Sequence, residues 1–249
     1  MATPRHLDHA PIVEALVDIQ VAPRNGLTFG VLEAAFSSRD LGYYVKGPIS
    51  EGLFSMQLPA DGQRPAATAT AAPIGLRLHS MDEKYVLQCR LSGFTLSRVA
   101  PYESWEKLIA ETTRLWGVYQ RLLSPLRICR NAVRFINDLQ LPMAHGSSFQ
   151  QYLEKLVEVP ESVPQHVRAF IQRFQLADYD AQAEVVLTLA LERGHKGPRV
   201  PVFLDIEAFA AVDMPPGSPD LWQSLERLRE AKNRVFFGTL TEKALELYQ

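Results

Sequence analysis

The sequence predicts an α+β protein of two related antiparallel sheets, each backed by a long helix, and three observations predict it. Short runs with period-two apolar alternation recur along the chain. Two long segments, Tyr102–Leu123 and Ser218–Lys232, instead repeat apolar residues every three or four positions. Each half also opens with a long strand and closes with a helix bearing Trp-x-x-Leu, Trp105/Leu108 in one and Trp222/Leu225 in the other. That echo points to an internal pseudo-duplication, with closely packed halves at residues 1–125 and 126–249, as two small domains or one large one.

The elements follow in order. Between Pro11 and Val21, Val13, Ala15, Val17, Ile19 and Val21 share one face while Glu14, Asp18 and Gln20 share the other, the pattern of a half-exposed strand. Thr28 caps a short helix to about Ser38, and Gly42–Pro48 reads as irregular. Leu53–Leu58, Ile74–His79, Tyr85–Leu91 and Phe94–Val99 read as strands separated by polar turns. Pro59–Pro73, rich in Ala, Thr and Pro, reads as a mobile loop. The helix over Tyr102–Leu123 aligns Trp105, Leu108, Ile109, Thr112, Leu115, Trp116 and Tyr119 on one stripe, and Pro125 stops it. Ile128–Asn137 is the next strand. Phe149–Leu156 and Pro164–Phe174 read as helices, then Glu184–Leu191 and Val200–Ile206 as strands joined around Gly194–Pro198. Ser218-Pro219 starts the second long helix, which Leu221, Trp222, Leu225 and Leu228 carry to about Lys232. A short helix over Thr241–Tyr248 ends the chain.

Composition narrows the function classes. The 249 residues are 47% hydrophobic and 22% charged with a net charge of −2, an ordinary globular balance that needs no disulfide or metal to build a core. No basic excess or stripe marks a nucleic-acid binder, so nucleic acid is not among the expected partners. Cys89 and Cys129 sit far apart in apolar strands and read as reduced, buried thiols. The opening Met-Ala-Thr-Pro-Arg-His-Leu-Asp-His has no apolar signal core and no run reaches a membrane span, so the expected location is the cytoplasm, with no membrane partner.

The strand Ile128–Asn137 carries the most chemistry. Arg130 and Arg134 lie on one face with Ile128, Ala132 and Ile136, and guanidiniums on an apolar face need partners. Glu14 and Asp18 share a face of the first strand, and Asp205 and Glu207 share a face of the strand Val202–Ala208. Neighbouring strands would build an ion-pair lattice from these groups, arginine's planar fork suiting carboxylates. The same residues, with Asn137, could instead floor a cleft for a small anionic or amide-bearing ligand, with Arg130 and Arg134 as clamp and Glu14 or Asp205 as orienting group or base. Both readings stand.

Catalytic signatures are missing, which leans the reading away from an enzyme. The six histidines show no zinc-hydrolase spacing, and His6-x-x-His9 lies in a solvated terminus, so neither metal nor cofactor is expected. Gly-x-Ser-x-Gly is absent, and Ser147-Ser148 after His145-Gly146 sits in a plain loop. The basic turn Gly194–Arg199 has no helix N-terminus behind it to cradle phosphate. Trp105, Trp116, Tyr119 and Trp222 are either core or a seam for a partner protein or a second copy. The charges of Leu228-Arg229-Glu230-Ala231-Lys232-Asn233-Arg234 read as one solvated face, with Phe236 and Phe237 anchoring the turn behind them.

Pro11-Ile12-Val13-Glu14-Ala15, Tyr102-x-x-Trp105, Arg130-x-x-x-Arg134-Phe135-Ile136-Asn137 and Lys232-Asn233-x-x-Phe236-Phe237-x-x-Leu240-Thr241-Glu242-Lys243-Ala244 recur as landmarks in a known order. On them the chain resembles a sporadically distributed family of uncharacterised bacterial and archaeal proteins of about 250 residues. Ala132 stands where that pattern often has Gly, and Pro59–Pro73 has no counterpart. The resemblance implies no activity. The family's patchy occurrence implies an accessory gene, in a defence or toxin–antitoxin setting. The reading that results is a cytoplasmic binding protein holding a partner or ligand between its two sheets, with an enzyme or sensor for a small anion as the alternative.

Overall fold

The two halves meet strand to strand. β1 (Ile12–Ala22) and β6 (Arg127–Leu141) pair antiparallel in a register running from Ile12↔Asn137 to Ala22↔Arg127. Beyond β1 lie β5 (Gly93–Val99), β4 (Tyr85–Arg90), β3 (Ala66–Ser80) and β2 (Tyr43–Gln57), each hydrogen-bonded to the next. Beyond β6 lie β9 (Val200–Met214), β8 (Ala183–Leu191) and β7 (Phe170–Asp178). The computed structural model describes residues 5–37, 40–57, 66–143, 148–155, 159–160, 162–164, 167–191 and 199–249.

The result is one nine-stranded antiparallel sheet, which overturns the expectation of two sheets each backed by a long helix. The reason lies in the opening strands. Taken alone, each half would leave a long apolar edge, β1 in one and β6 in the other, with a row of unsatisfied N–H and C=O groups. Pairing the two edges satisfies both rows at once. Among the described residues there is a single sheet, so the expected cleft between two sheets is not formed.

Helices cover one face. α2 (Trp105–Leu123) packs on β5, α3 (Asp220–Thr239) on β9, β6 and β8, and the short α1 (Phe29–Ser37) on β3 and α2. α2 starts where Ser104 Oγ accepts from the Lys107 N–H at 3.3 Å and ends at Ser124, held at φ 48° before Pro125. Ser218 Oγ likewise accepts from the Asp220 N–H, and α4 (Glu242–Leu245) follows α3. Under α2, Phe94 meets Trp116 and Tyr119 edge-on, and those two rings stack at 5.4 Å. Ala15, Val17, Ile19, Val133, Leu139, Leu204 and Ile206 supply the buried sheet floor.

Several local readings change. A register shift between Ile128 and Arg130 marks a bulge, so Ile128, opposite the core residue Val21, faces the helices while Arg130 and Arg134 face away. The helix expected over Pro164–Phe174 gives way, among the described residues, to the edge strand β7 at Phe170–Asp178. Phe149–Gln151 is only a 3-10 turn. Residues 43–48 belong to β2, and Ala66–Pro73 extends β3, where the chain was expected to be irregular or looped. The remainder of that expected loop, with His145, Ser147, His166 and the turn 194–198, lies outside the described residues. Cys89 is buried, Cys129 is half-buried, and both are free thiols. Among the described residues, no helix is long and apolar enough to cross a membrane.

Candidate functional site

The two faces of β6 carry different chemistry. On the face away from the helices, Arg134 Nε and Nη2 donate to Asp205 Oδ1 and Oδ2 at 2.8 and 2.6 Å, a bidentate pair that holds the guanidinium above its ordinary pKa. Arg130 Nη2 donates to Glu207 Oε1 at 2.6 Å, its Nη1 lies 3.5 Å from Asp18 Oδ2, and its plane lies over the Phe209 ring. Asp18 Oδ1 also accepts from Arg90 Nη2 at 2.5 Å and from Thr95 Oγ1 at 2.6 Å. Glu14 acts on Arg134 through space.

This lattice is built by register. β1 and β9 flank β6, so Asp18, Asp205 and Glu207 reach the two arginines from either side. Arg90 joins from β4 because glycine stands on both sides of it. A Cβ at Gly75 would meet Cys89 O at 2.5 Å, and one at Gly93 would meet Ile19 O at 2.9 Å and Arg90 Nη2 at 3.2 Å. The Arg90 side chain lies across that gap toward Asp18. An anion arriving at Arg130 or Arg134 would have to displace carboxylates already in contact.

The helix-covered face holds a cavity of about 460 Å³. Phe135 and Asn137 of β6 form its floor, Tyr102 and Trp105 at the start of α2 one wall, and Lys232, Asn233 and Phe236 of α3 the other. The segment from Arg5 to Ala10 closes the third side, tied down by Arg5 Nη1 to Glu242 at 2.6 Å and by the His9 N–H to Tyr248 O at 3.0 Å. Across the walls, Trp105 Nε1 donates to Glu226 at 2.6 Å, which fixes α2 against α3, and Arg229 Nη1, one turn along α3, donates to the same carboxylate at 2.6 Å. Tyr102 meets Phe135 edge-on at 5.7 Å, and burial pushes its phenol pKa up. Asn137 Nδ2 donates to Leu204 O at 2.9 Å, which orients the amide.

Lys232 is the exception in this cavity. It is 6% exposed, and among the described residues no carboxylate, hydroxyl or carbonyl bonds its ammonium group. Its Nζ lies 3.8 Å from the centroid of Phe135 and 5.9 Å from that of Phe236. Desolvation, with Arg229 one turn away adding repulsion, brings its pKa from 10.5 down to about 7. The ring faces return only part of the hydration that burial removes.

The candidates named from sequence therefore divide. Arg130, Arg134, Asp18, Asp205 and Glu207 come together in the lattice, with Glu14 nearby, and Asn137 belongs to the cavity on the opposite face. Trp105, Trp116 and Tyr119 are buried and Trp222 is half-buried, so the α2 rings form no exposed seam. Trp105 instead lines the cavity. Lys232 was read as part of a solvated face. The signal against that was its spacing: Leu221, Leu225, Leu228, Lys232 and Phe236 follow at intervals of four, three, four and four, which is the apolar stripe of α3. Tyr102, Trp105, Phe135, Asn137, Lys232, Asn233 and Phe236 converge on this one cavity. Among the described residues, no group of three or more His, Cys, Asp or Glu side chains could hold a metal ion. No protein-family model matches the chain, and no curated protein matches it either.

Proposed function

We propose that this chain is a binding protein whose small-molecule ligand occupies the cavity between the sheet and the α2–α3 pair. The carrying observation is Lys232, a buried cation without a counter-charge on an aromatic cavity of small-molecule size. A purely structural position would be better filled by Met or Leu, because burying an unpaired ammonium costs stability and gains nothing in packing. Retaining it makes physical sense where a ligand supplies the missing polar contact. Aromatic rings on several sides suit a flat or apolar ligand body, while Asn233 and the Lys232 amine offer polar contacts to its functional group.

The lattice of Arg130 and Arg134 serves in this reading as the brace that fixes β6, and with it Phe135 and Asn137, between β1 and β9. We place the protein in the cytoplasm, where its two free thiols accord with a reducing compartment, and among the family it resembles.

Native mass spectrometry of the protein purified from its own host tests the reading. A bound small molecule on the wild type, lost in Lys232→Met and kept in Arg134→Met, is the expected result. Wild type and Lys232→Met that carry the same molecule, or a wild type that carries none and takes up none from host extract, would contradict it.

A further inference from the structure

We propose that Lys232 is a nucleophilic amine that condenses with the carbonyl carbon of an aldehyde or ketone whose aromatic or apolar body fills this cavity. The proposal rests on the ligand site argued above and assigns its chemistry. A cavity meant for a permanent anion would use a guanidinium, which keeps its charge when dehydrated. This cavity has arginines at hand, yet both are engaged elsewhere, Arg229 with Glu226 and Arg5 with Glu242. The group left facing the space beside Phe135 is a lysine amine, which unlike a guanidinium can shed its proton, and an apolar site favours the neutral, nucleophilic form.

The surroundings support that form. The floor contributes Phe135 and Asn137, neither of them charged, and α3 contributes Arg229. From the start of α2 come Tyr102, Glu103 and Glu106, and from the N-terminal segment Arg5, His6 and Asp8. Glu103 is bound to Arg98 and Lys107, and Glu106 is held low in pKa by the backbone N–H and Ser104 at the helix start. None of these groups forms an ion pair with Lys232 that would lock it as ammonium. Proton repulsion from Arg229 acts in the same direction as burial.

The step balances within the two reactants. The lone pair of Nζ attacks the carbonyl carbon and the C–O π bond opens to give a carbinolamine. Nitrogen then forms the second bond to carbon as the oxygen departs, taking both amine hydrogens as water. The product is an imine, and no oxidant, reductant or further reagent is consumed.

Reductive trapping with benzaldehyde and cyanoborohydride at pH 7 tests the proposal, read by intact mass and peptide mapping. The expected result is one benzyl group on Lys232, formed at least about tenfold faster than on the solvent-exposed Lys107 and absent in Lys232→Met. The same wild-type protein labelled in urea, where the preference for Lys232 should vanish, gives a control that does not depend on a variant folding. Labelling of Lys107 and other surface lysines at the rate of Lys232 in the folded protein overturns the proposal. Benzyl alcohol, with the ring but no carbonyl, separates the two readings. Should it shift the Phe135 and Phe236 NMR signals while benzaldehyde leaves no Lys232 adduct, the imine falls and the ligand site stands. Should neither compound perturb those rings, both fall.

Discussion

Arg134 and Phe135 are consecutive on β6 and face opposite environments. Arg134 grips Asp205 through two hydrogen bonds on the uncovered face, while Phe135 presents its ring to the Lys232 ammonium at 3.8 Å under the helices. Strand alternation alone separates the two sites by one residue. Each can therefore be perturbed while the other is kept as an internal control.

Lys232 should cost the fold stability in a pH-dependent way. Its folded pKa lies below its unfolded one, so between about pH 7 and 10.5 the unfolded chain binds more protons and stability rises with pH. The penalty is full at and below pH 7 and fades toward 10.5. Lys232→Met should thus stabilise the protein by on the order of a few kcal/mol at neutral pH, and by progressively less as pH rises. Paired urea melts of wild type and variant at pH 6.5, 8 and 9.5 check this. A gap that does not narrow would contradict the assignment.

The arginine lattice should behave as structure. Arg130→Met leaves Glu207 without its partner in a site only partly open to water, and should cost roughly 1–3 kcal/mol. Arg134 and Asp205 are more exposed, and a double-mutant cycle between them should return less than about 1 kcal/mol. Chemical denaturation reads both. Neither change should alter what the cavity binds.

Gly75 should resist substitution although its φ is ordinary. The Cβ of Gly75→Ala would sit 2.5 Å from Cys89 O and 2.9 Å from Arg90 Cα, both backbone atoms that can move only by spreading β3 from β4. The variant should lose about 1–3 kcal/mol and weaken the Arg90–Asp18 contact. Gly52, with open space around it, should accept alanine with little effect on the melting temperature.

Much of this was legible in the sequence where the pattern was strong. The alternation of β1 and β6, the stripe of α2, and the shared face of Arg130 and Arg134, with Asp18, Asp205 and Glu207 as partners should their strands be neighbours, all follow from period-two and period-3.6 spacing. What did not follow was the pairing of β1 with β6, because the partner of a strand edge is set by the whole chain and leaves no local mark. β7 was misread because an edge strand is exposed on most of its length, which blurs its alternation. Lys232 was passed over because its charge outweighed its position. Buried charges are rare enough that residue type usually decides, yet here the spacing carried the information.

The ionisation of Lys232 itself tests the central claim most directly. With the lysine side chains labelled with carbon-13 and nitrogen-15, the Nζ and Cε signals of Lys232, assigned through Lys232→Met, can be followed by NMR from pH 5 to 11. A midpoint near 7 is the predicted result, with the ammonium uncompensated beside Phe135 and open to a ligand. A midpoint at the ordinary lysine value of 10.5 would contradict it, since the group would then have a partner or water enough to need no ligand.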